Sequence, residues 1–264
     1  MTAQHAASRS PGPILELADV CVTFGGVKAV SGVSLEIRAG SVVGLIGPNG
    51  SGKTTLLNAI VGIVAIDRGR ILLRGRDVTR APSYKRAALG LARTYQQIRL
   101  FEAMSVMENV LVALDCKSDP RLRTWILTRG FEKLNRKTKE ARAREVLTML
   151  EIDDYREVLA TTLPYGLQRR VEIARTIAPW PNIVLLDEPT AGMSRLEAES
   201  VGRLVRRLRE EGLSILIVEH NFDLMMDISD YMHVLNFGTC IAAGPPEVVR
   251  QNPEVITAYL GDVP

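Results

Sequence analysis

"GPNGSGKTT", Gly47 to Thr55, decides the fold of this chain. It fits the pattern G-x-x-x-x-G-K-[ST], and it stands where that pattern has physical meaning. An apolar run, "SVVGLI" (Ser41 to Ile46), precedes it, and a helical stretch, "TTLLNAIVG", follows and is closed by Gly62. A short unbroken apolar run reads as a strand covered on both faces, as in a parallel sheet. Gly47, Gly50 and Gly52 let the backbone curl so that its N–H groups face phosphate oxygens. The N-terminus of the helix behind them adds the positive end of its dipole. Residues Gly47, Pro48, Asn49, Gly50, Ser51, Gly52, Lys53, Thr54 and Thr55 therefore form a candidate ATP-binding loop. In it Lys53 would reach the β and γ phosphates and the Thr54 hydroxyl would bind Mg²⁺.

Working outward, "VSLEI" (Val33 to Ile37) alternates apolar and polar residues like a half-buried strand, and "GRILLRGRDV" returns to strand and turn. From about Ser83 to Ala160 the pattern is helical and strand signals vanish, which predicts an inserted helical subdomain. Strand, helix and strand then resume as "NIVLLD" (Asn182 to Asp187), "RLEAESVGRLVRRLREEG" and "SILIVEH" (Ser214 to His220). Alternating βα units of this kind imply an α/β fold with a mostly parallel sheet. "NIVLLDEP" ends its strand in Asp187 and Glu188, and ligands of open α/β sheets sit at strand ends. Asp187 suits a Mg²⁺ shell, and Glu188 suits the polarisation of an attacking water. His220 closes another buried strand. By itself it reads equally as a packed core histidine or as a group beside Glu188.

The bulk numbers exclude several classes. The 264 residues can bury a full core, and 46% hydrophobic with 24% charged residues is a globular balance. A formal charge of +3 is too small to make nucleic acid the main partner. Cys21, Cys116 and Cys240 are far apart and in no C-x-x-C arrangement, which suits reduced thiols and supplies no metal framework. The longest apolar run, Ala59 to Ile66, has eight residues, whereas a spanning helix needs about 20. The first thirteen residues, ending "SPGP", lack the apolar core of a secretory signal and read as a loose tail.

With the glycine loop, the strand-end acids, His220 and "LPYGLQRRVEIAR" (Leu163 to Arg175) in one chain, the sequence resembles an ABC-type ATPase domain over nearly its whole length. "RTYQQIRLFEAMSVMENVLVA" (Arg93 to Ala113), "DEPTAGM" and the ending "NPEVITAYLG" resemble more closely the ATP-binding subunits of branched-chain amino-acid importers. The resemblance implies a P-loop NTPase core of RecA-like type with an antiparallel β subdomain and an inserted α-helical subdomain. It implies a tail over 1–13 and one ABC ATPase domain over 14–264. The core with its β subdomain would cover about 14–95 and 161–264, and the helical subdomain about 96–160. Phe24 would stack on adenine, although the alternating strand "VCVTF" alone reads it as core packing. Gln96 would be the Q-loop glutamine, touching Mg²⁺ and water, with its neighbour Gln97 the competing choice. His220 becomes the switch histidine at the γ-phosphate. Ser194 of "AGMS" stands in the D-loop, where many ABC proteins carry aspartate.

In most ABC ATPases the signature motif begins Leu-Ser-Gly-Gly-Gln and binds the γ-phosphate of ATP held by the other subunit. Here Pro164 replaces the serine, Tyr165 the first glycine and Leu167 the glutamine, while Leu163 and Gly166 stand. What remains is the Gly166 N–H and the dipole of a helix with an apolar stripe of Leu167, Val171, Ala174 and Ile177. The missing hydroxyl is one hydrogen bond to a charged group, about 1.5–3 kcal/mol.

The resemblance further implies a second ABC ATPase subunit, two membrane permeases and an extracytoplasmic solute-binding protein. It places this chain on the cytoplasmic face of the membrane as a peripheral subunit. An importer of urea, amides or another small solute shares the scaffold. A soluble ABC clamp on DNA or ribosomes would carry two ATPase domains or a long coiled coil, and this chain has one P-loop and no sustained heptads. Lys117 to Arg144 holds ten Lys/Arg against three Asp/Glu. Leu122, Trp125 and Ile126 there are spaced as on one helix face. The segment reads either as a solvated face or as a contact with permease or anionic lipid.

Overall fold

The computed structural model describes residues 12–116 and 136–260. The described residues form two sheets. The smaller comprises β1 (Leu15–Phe24), β2 (Val27–Ile37), β4 (Arg68–Leu73) and β5 (Arg76–Asp77), ordered β2-β1-β4-β5 with every pair antiparallel. The larger comprises β3 (Val42–Ile46), β6 (Leu91–Arg93), β7 (Ile183–Asp187), β8 (Ser214–Val218), β9 (Tyr231–Asn236) and β10 (Thr239–Gly244). Its order is β10-β9-β3-β8-β7-β6, and only the β9–β10 pair is antiparallel.

The continuous apolar runs of the larger sheet are explained by what covers its two faces. Val42 and Ile46, Val184 and Leu186, and Ile215 and Ile217 point into one buried cluster. Their neighbours Val43 and Leu45, Ile183 and Leu185, and Leu216 and Val218 point into another, shared with the small sheet and α1 (Lys53–Val61). Alternate residues thus lose water on opposite sides, so the runs do not alternate with polar residues. The first cluster also takes in α3 (Val106–Cys116), α4 (Arg136–Met149) and α5 (Tyr165–Ile177). In α5 the expected stripe is present, with Val171, Ala174 and Ile177 buried and Leu167 packed at the edge.

One expectation fails here. The stretch from Ser83 to Ala160 is not free of strands, because β6 pairs in parallel with β7, Leu91 opposite Ile183. Three residues at a sheet edge carry too little alternation to be seen as a strand. The helix α2 (Ser83–Ala88) precedes it and contributes Arg86, which is buried. Its guanidinium donates to the Ala59 and Ile60 carbonyls at 2.6 and 2.7 Å, holding the last turn of α1 in place. Among the described residues the remaining α-helices are α6 (Arg195–Glu210), α7 (Phe222–Ile228), α8 (Pro246–Arg250) and α9 (Pro253–Leu260). Of the basic segment, residues 117–135, including Leu122, Trp125 and Ile126, lie outside the described residues, as do residues 1–11 of the tail.

Candidate active site

The glycine loop runs from the end of β3 into α1, and two of its glycines are dictated by contact. Gly47 has φ 149°, and a Cβ there would lie 2.1 Å from the Leu235 carbonyl oxygen. Gly52 has φ 101°, and its Cβ would lie 2.3 Å from the Ala29 carbonyl oxygen. The loop is therefore pressed between β9 and β2, and no side chain fits at either place. Gly238, in the turn between β9 and β10, donates its N–H to the Ser51 carbonyl at 3.0 Å and braces the loop from outside. Ser51 is buried, Thr55 half-buried and Thr54 exposed. Lys53 folds back over the loop, donating to the carbonyls of Gly47 (2.7 Å) and Pro48 (2.8 Å). Burial pushes its amine down from the ordinary lysine value, while Glu188 and Asp187 pull it the other way. Both acids are thus within electrostatic reach of Lys53.

Asp187 is buried at the end of β7. One of its oxygens accepts from Arg93 Nη2 at 2.7 Å, and Arg93 Nη1 donates to Asn58 Oδ1 of α1 at 2.6 Å. Arg93 therefore ties β6, β7 and the loop helix together around the carboxylate. The pattern of basic residues did not single it out, and its position directly ahead of "TYQ" was the available signal. Glu188 follows with φ 45°, a left-handed conformation that strains a non-glycine residue. Its N–H still donates to the Val218 carbonyl, 2.9 Å. Gln96 Nε2 donates to Glu188 Oε2 at 3.0 Å, so the glutamine after β6 and the acid after β7 meet at one sheet end. Gln96, and not Gln97, makes this bond.

His220 lies two residues beyond the end of β8 at Val218 rather than within the strand. It is exposed, and β8 neighbours β7, which brings it to the same sheet end as Glu188. The residue in between, Glu219, is fully buried and was not anticipated. Its carboxylate accepts from the Thr190 N–H and hydroxyl at 2.8 and 2.6 Å, joining the loop after β7 to the loop after β8. An acid inside the otherwise apolar "SILIVEH" was its signal.

Phe24 does not enter the core, contrary to the reading of its strand alone. It ends β1 at a hairpin tip and is 51% exposed, so its ring is free to receive a ligand. Ser194 caps α6 in a capping box with Glu197, which explains a serine there on local grounds. Pro164 is the N-cap of α5 and makes no side-chain cap bond, while its carbonyl accepts from the N–H groups of Leu167 and Gln168. Tyr165 and Gly166 open the helix. The Thr54 hydroxyl, the Asp187 carboxylate and the Gln96 amide oxygen are hard donors of the kind Mg²⁺ takes. Among the described residues no cluster of three or more His, Cys, Asp or Glu could hold a metal. A divalent ion here would therefore draw the rest of its shell from phosphate and water.

A glycine loop at the end of β3, acids at the end of β7 two strands away and an all-antiparallel sheet beside the parallel one define a P-loop nucleotide-binding protein of cassette type. Comparison with known proteins narrows this. The family model for "ABC transporter" matches residues 30–191, and that for "Branched-chain amino acid ATP-binding cassette transporter" matches residues 239–263. Over 252 residues the chain is 40% identical to the high-affinity branched-chain amino acid transport ATP-binding protein BraF of Pseudomonas aeruginosa, covering 95% of this chain and 98% of that one. The same figures hold for the high-affinity branched-chain amino acid transport ATP-binding protein LivG of Escherichia coli strain K12. The crystal structure of an ABC transporter's ATP-binding cassette in its ADP conformation superposes with a TM-score of 0.82 at 30% identity, over 95% of this chain and 99% of that one. The chain belongs to the ABC transporter ATP-binding family, in its branched-chain amino-acid branch.

Proposed function

We propose that this chain is the ATP-hydrolysing subunit of an importer of branched-chain or other hydrophobic amino acids. The observation that carries the hydrolytic part is the bond from Gln96 to Glu188. It joins a glutamine able to hold water to the acid that would polarise it, at the sheet end where the glycine loop opens. In this reading Gly47 to Thr55 cradle the phosphates and Lys53 exchanges its loop carbonyls for β and γ oxygens. Phe24 stacks on the base and His220 contacts the γ-phosphate. Thr54, Asp187 and Gln96 would hold Mg²⁺, which neutralises charge on the β and γ phosphates when bound. Glu188 orients the attacking water and accepts its proton.

The cargo assignment rests on the names of relatives 40% identical over nearly their whole length, together with the match to residues 239–263. No helix among the described residues is long and apolar enough to cross a membrane. The chain would act as a peripheral subunit on the cytoplasmic face, with two permeases, a solute-binding protein and a second ABC ATPase subunit, and with residues of about 96–160 as its helical subdomain. Two ATP molecules would lie between the two ATPases. Pro164, Tyr165 and Gly166 would complete the site whose P-loop belongs to the partner, and Ser194 would lie at the joint between them. Reconstitution with permeases and a solute-binding protein of a branched-chain amino-acid importer tests the reading. Leucine-stimulated ATP hydrolysis, abolished in Lys53→Ala, supports it; stimulation by urea or an amide but not by leucine refutes the cargo.

A further inference from the structure

Arg169, one turn into α5, is fully buried, and none of the roles above uses it. Its Nη1 donates to the Tyr95 carbonyl at 2.8 Å and to Glu172 Oε2 at 2.6 Å. Its Nη2 donates to the Gln96 carbonyl at 2.8 Å and meets the Tyr165 hydroxyl at 3.2 Å. Glu172 in turn accepts from the Tyr95 N–H at 3.4 Å. The main chain on both sides of the Gln96 side chain is therefore held by one ion pair from α5. The far end of that side chain rests on Glu188, and the same guanidinium holds the tyrosine that opens the helix. Burial pushes the Glu172 carboxyl up, against the opposing pull of Arg169.

A buried ion pair is a poor device for stability, since an apolar pair of similar volume commonly serves as well. A planar fork that addresses two carbonyls, a carboxylate and a hydroxyl is instead a device for geometry, and lysine cannot reproduce it. We propose that Arg169 is a positioning residue: it sets the Gln96 side chain on Glu188 and makes the Gln96 loop and the first turn of α5 one rigid piece. The half-site this chain uses itself and the half-site it lends to its partner are thereby joined inside one subunit. The inference rests on the assignment of Glu188 and Gln96 to hydrolysis.

The test is a double-mutant comparison in the assembled transporter. Arg169→Lys should lower kcat about 10-fold, the effect of losing one charge-assisted hydrogen bond, while KM for ATP stays within about 2-fold. In a Gln96→Ala background the same substitution should change kcat less than about 2-fold, because the group it positions is gone. Should Arg169→Lys fold poorly, Arg169→Met with Glu172→Leu removes both charges at similar volume and should show the same dependence on Gln96. A merely structural role would lower the melting temperature and kcat alike in both backgrounds. Unchanged kcat, or an equal loss with and without Gln96, overturns the proposal. Failure of the underlying assignment looks different: Glu188→Gln and Gln96→Ala would then leave turnover intact.

Discussion

Replacing Pro164 by serine asks how much of the shared ATP site depends on a side-chain hydroxyl. Pro164 sits at φ −52° and ψ 149°, an N-cap conformation that serine adopts freely, and its carbonyl already serves Leu167 and Gln168. Two effects separate. In the isolated chain the new hydroxyl caps first-turn N–H groups, worth about 0.5–2 kcal/mol. Release of the proline ring returns about 0.4–1 kcal/mol to the unfolded chain. The net change in stability is then roughly −0.5 to +1.5 kcal/mol, a small shift in melting temperature. In the proposed pair of ATPases the hydroxyl would face a phosphate, where a bond of ~1.5–3 kcal/mol made mainly in the transition state would accelerate hydrolysis roughly 10- to 150-fold. The assay is ATP turnover in a Glu188→Gln background, which in the proposed pair would silence this chain's own site and leave the site completed by Pro164. Pro164→Ser should raise that residual turnover at least about 10-fold, and Glu188→Gln alone should hurt transport more than the equivalent change in the partner ATPase. Equal loss from the two glutamate mutants, with no gain from serine, would mean that the Gly166 N–H and the helix dipole suffice.

Three further outcomes follow from the geometry. Glu188→Gln should retain ATP binding and slow hydrolysis about 100-fold or more, read as single-turnover phosphate release; near-normal turnover removes Glu188 from its role. Lys53→Ala should severely weaken ATP binding, whereas Phe24→Ala should cost a modest factor for ATP and GTP alike; equilibrium titration with a fluorescent nucleotide distinguishes them, and unchanged affinity in Lys53→Ala contradicts the loop assignment. Burial pushes His233, on β9 with Nδ1 3.8 Å from Cys240 Sγ, down to about 4 from its ordinary 6.5. The neutral ring is favoured by folding, so its contribution is complete above pH 6.5 and is lost as the pH falls toward 4, amounting to about 3 kcal/mol. Melting temperatures across that range should fall less steeply for His233→Gln than for the unaltered chain, and parallel curves would refute this.

What could be read without coordinates was local. The glycine loop, α1 with its Gly62 stop and the strands β3, β7 and β8 each announce themselves in fewer than ten residues or so, through periodicity and turn chemistry. The parts that were missed depend on partners distant in sequence. Arg93 finds Asp187 94 positions on, and Arg169 finds Tyr95 74 positions back. β6 exists only because β7 lies beside it, and Glu219 is tolerated inside the protein because Thr190 supplies two donors and the His220 N–H a third. The core packing that its strand alone suggests for Phe24 fails for a related reason. An alternating strand says which residues face inward, but not where the hairpin leaves the covering sheet.

Lys53 spends its charge on the carbonyls of Gly47 and Pro48, at the start of its own loop. In the proposed function, nucleotide capture would be an exchange of partners for this lysine. A ligand gains entry only by offering the ammonium group oxygens more strongly charged than two peptide carbonyls. Adenosine would bring none, whereas the β and γ oxygens assigned to Lys53 would bring several. In that reading these two hydrogen bonds would favour ligands with enough phosphate to reach Lys53, before any contact with the base has been made.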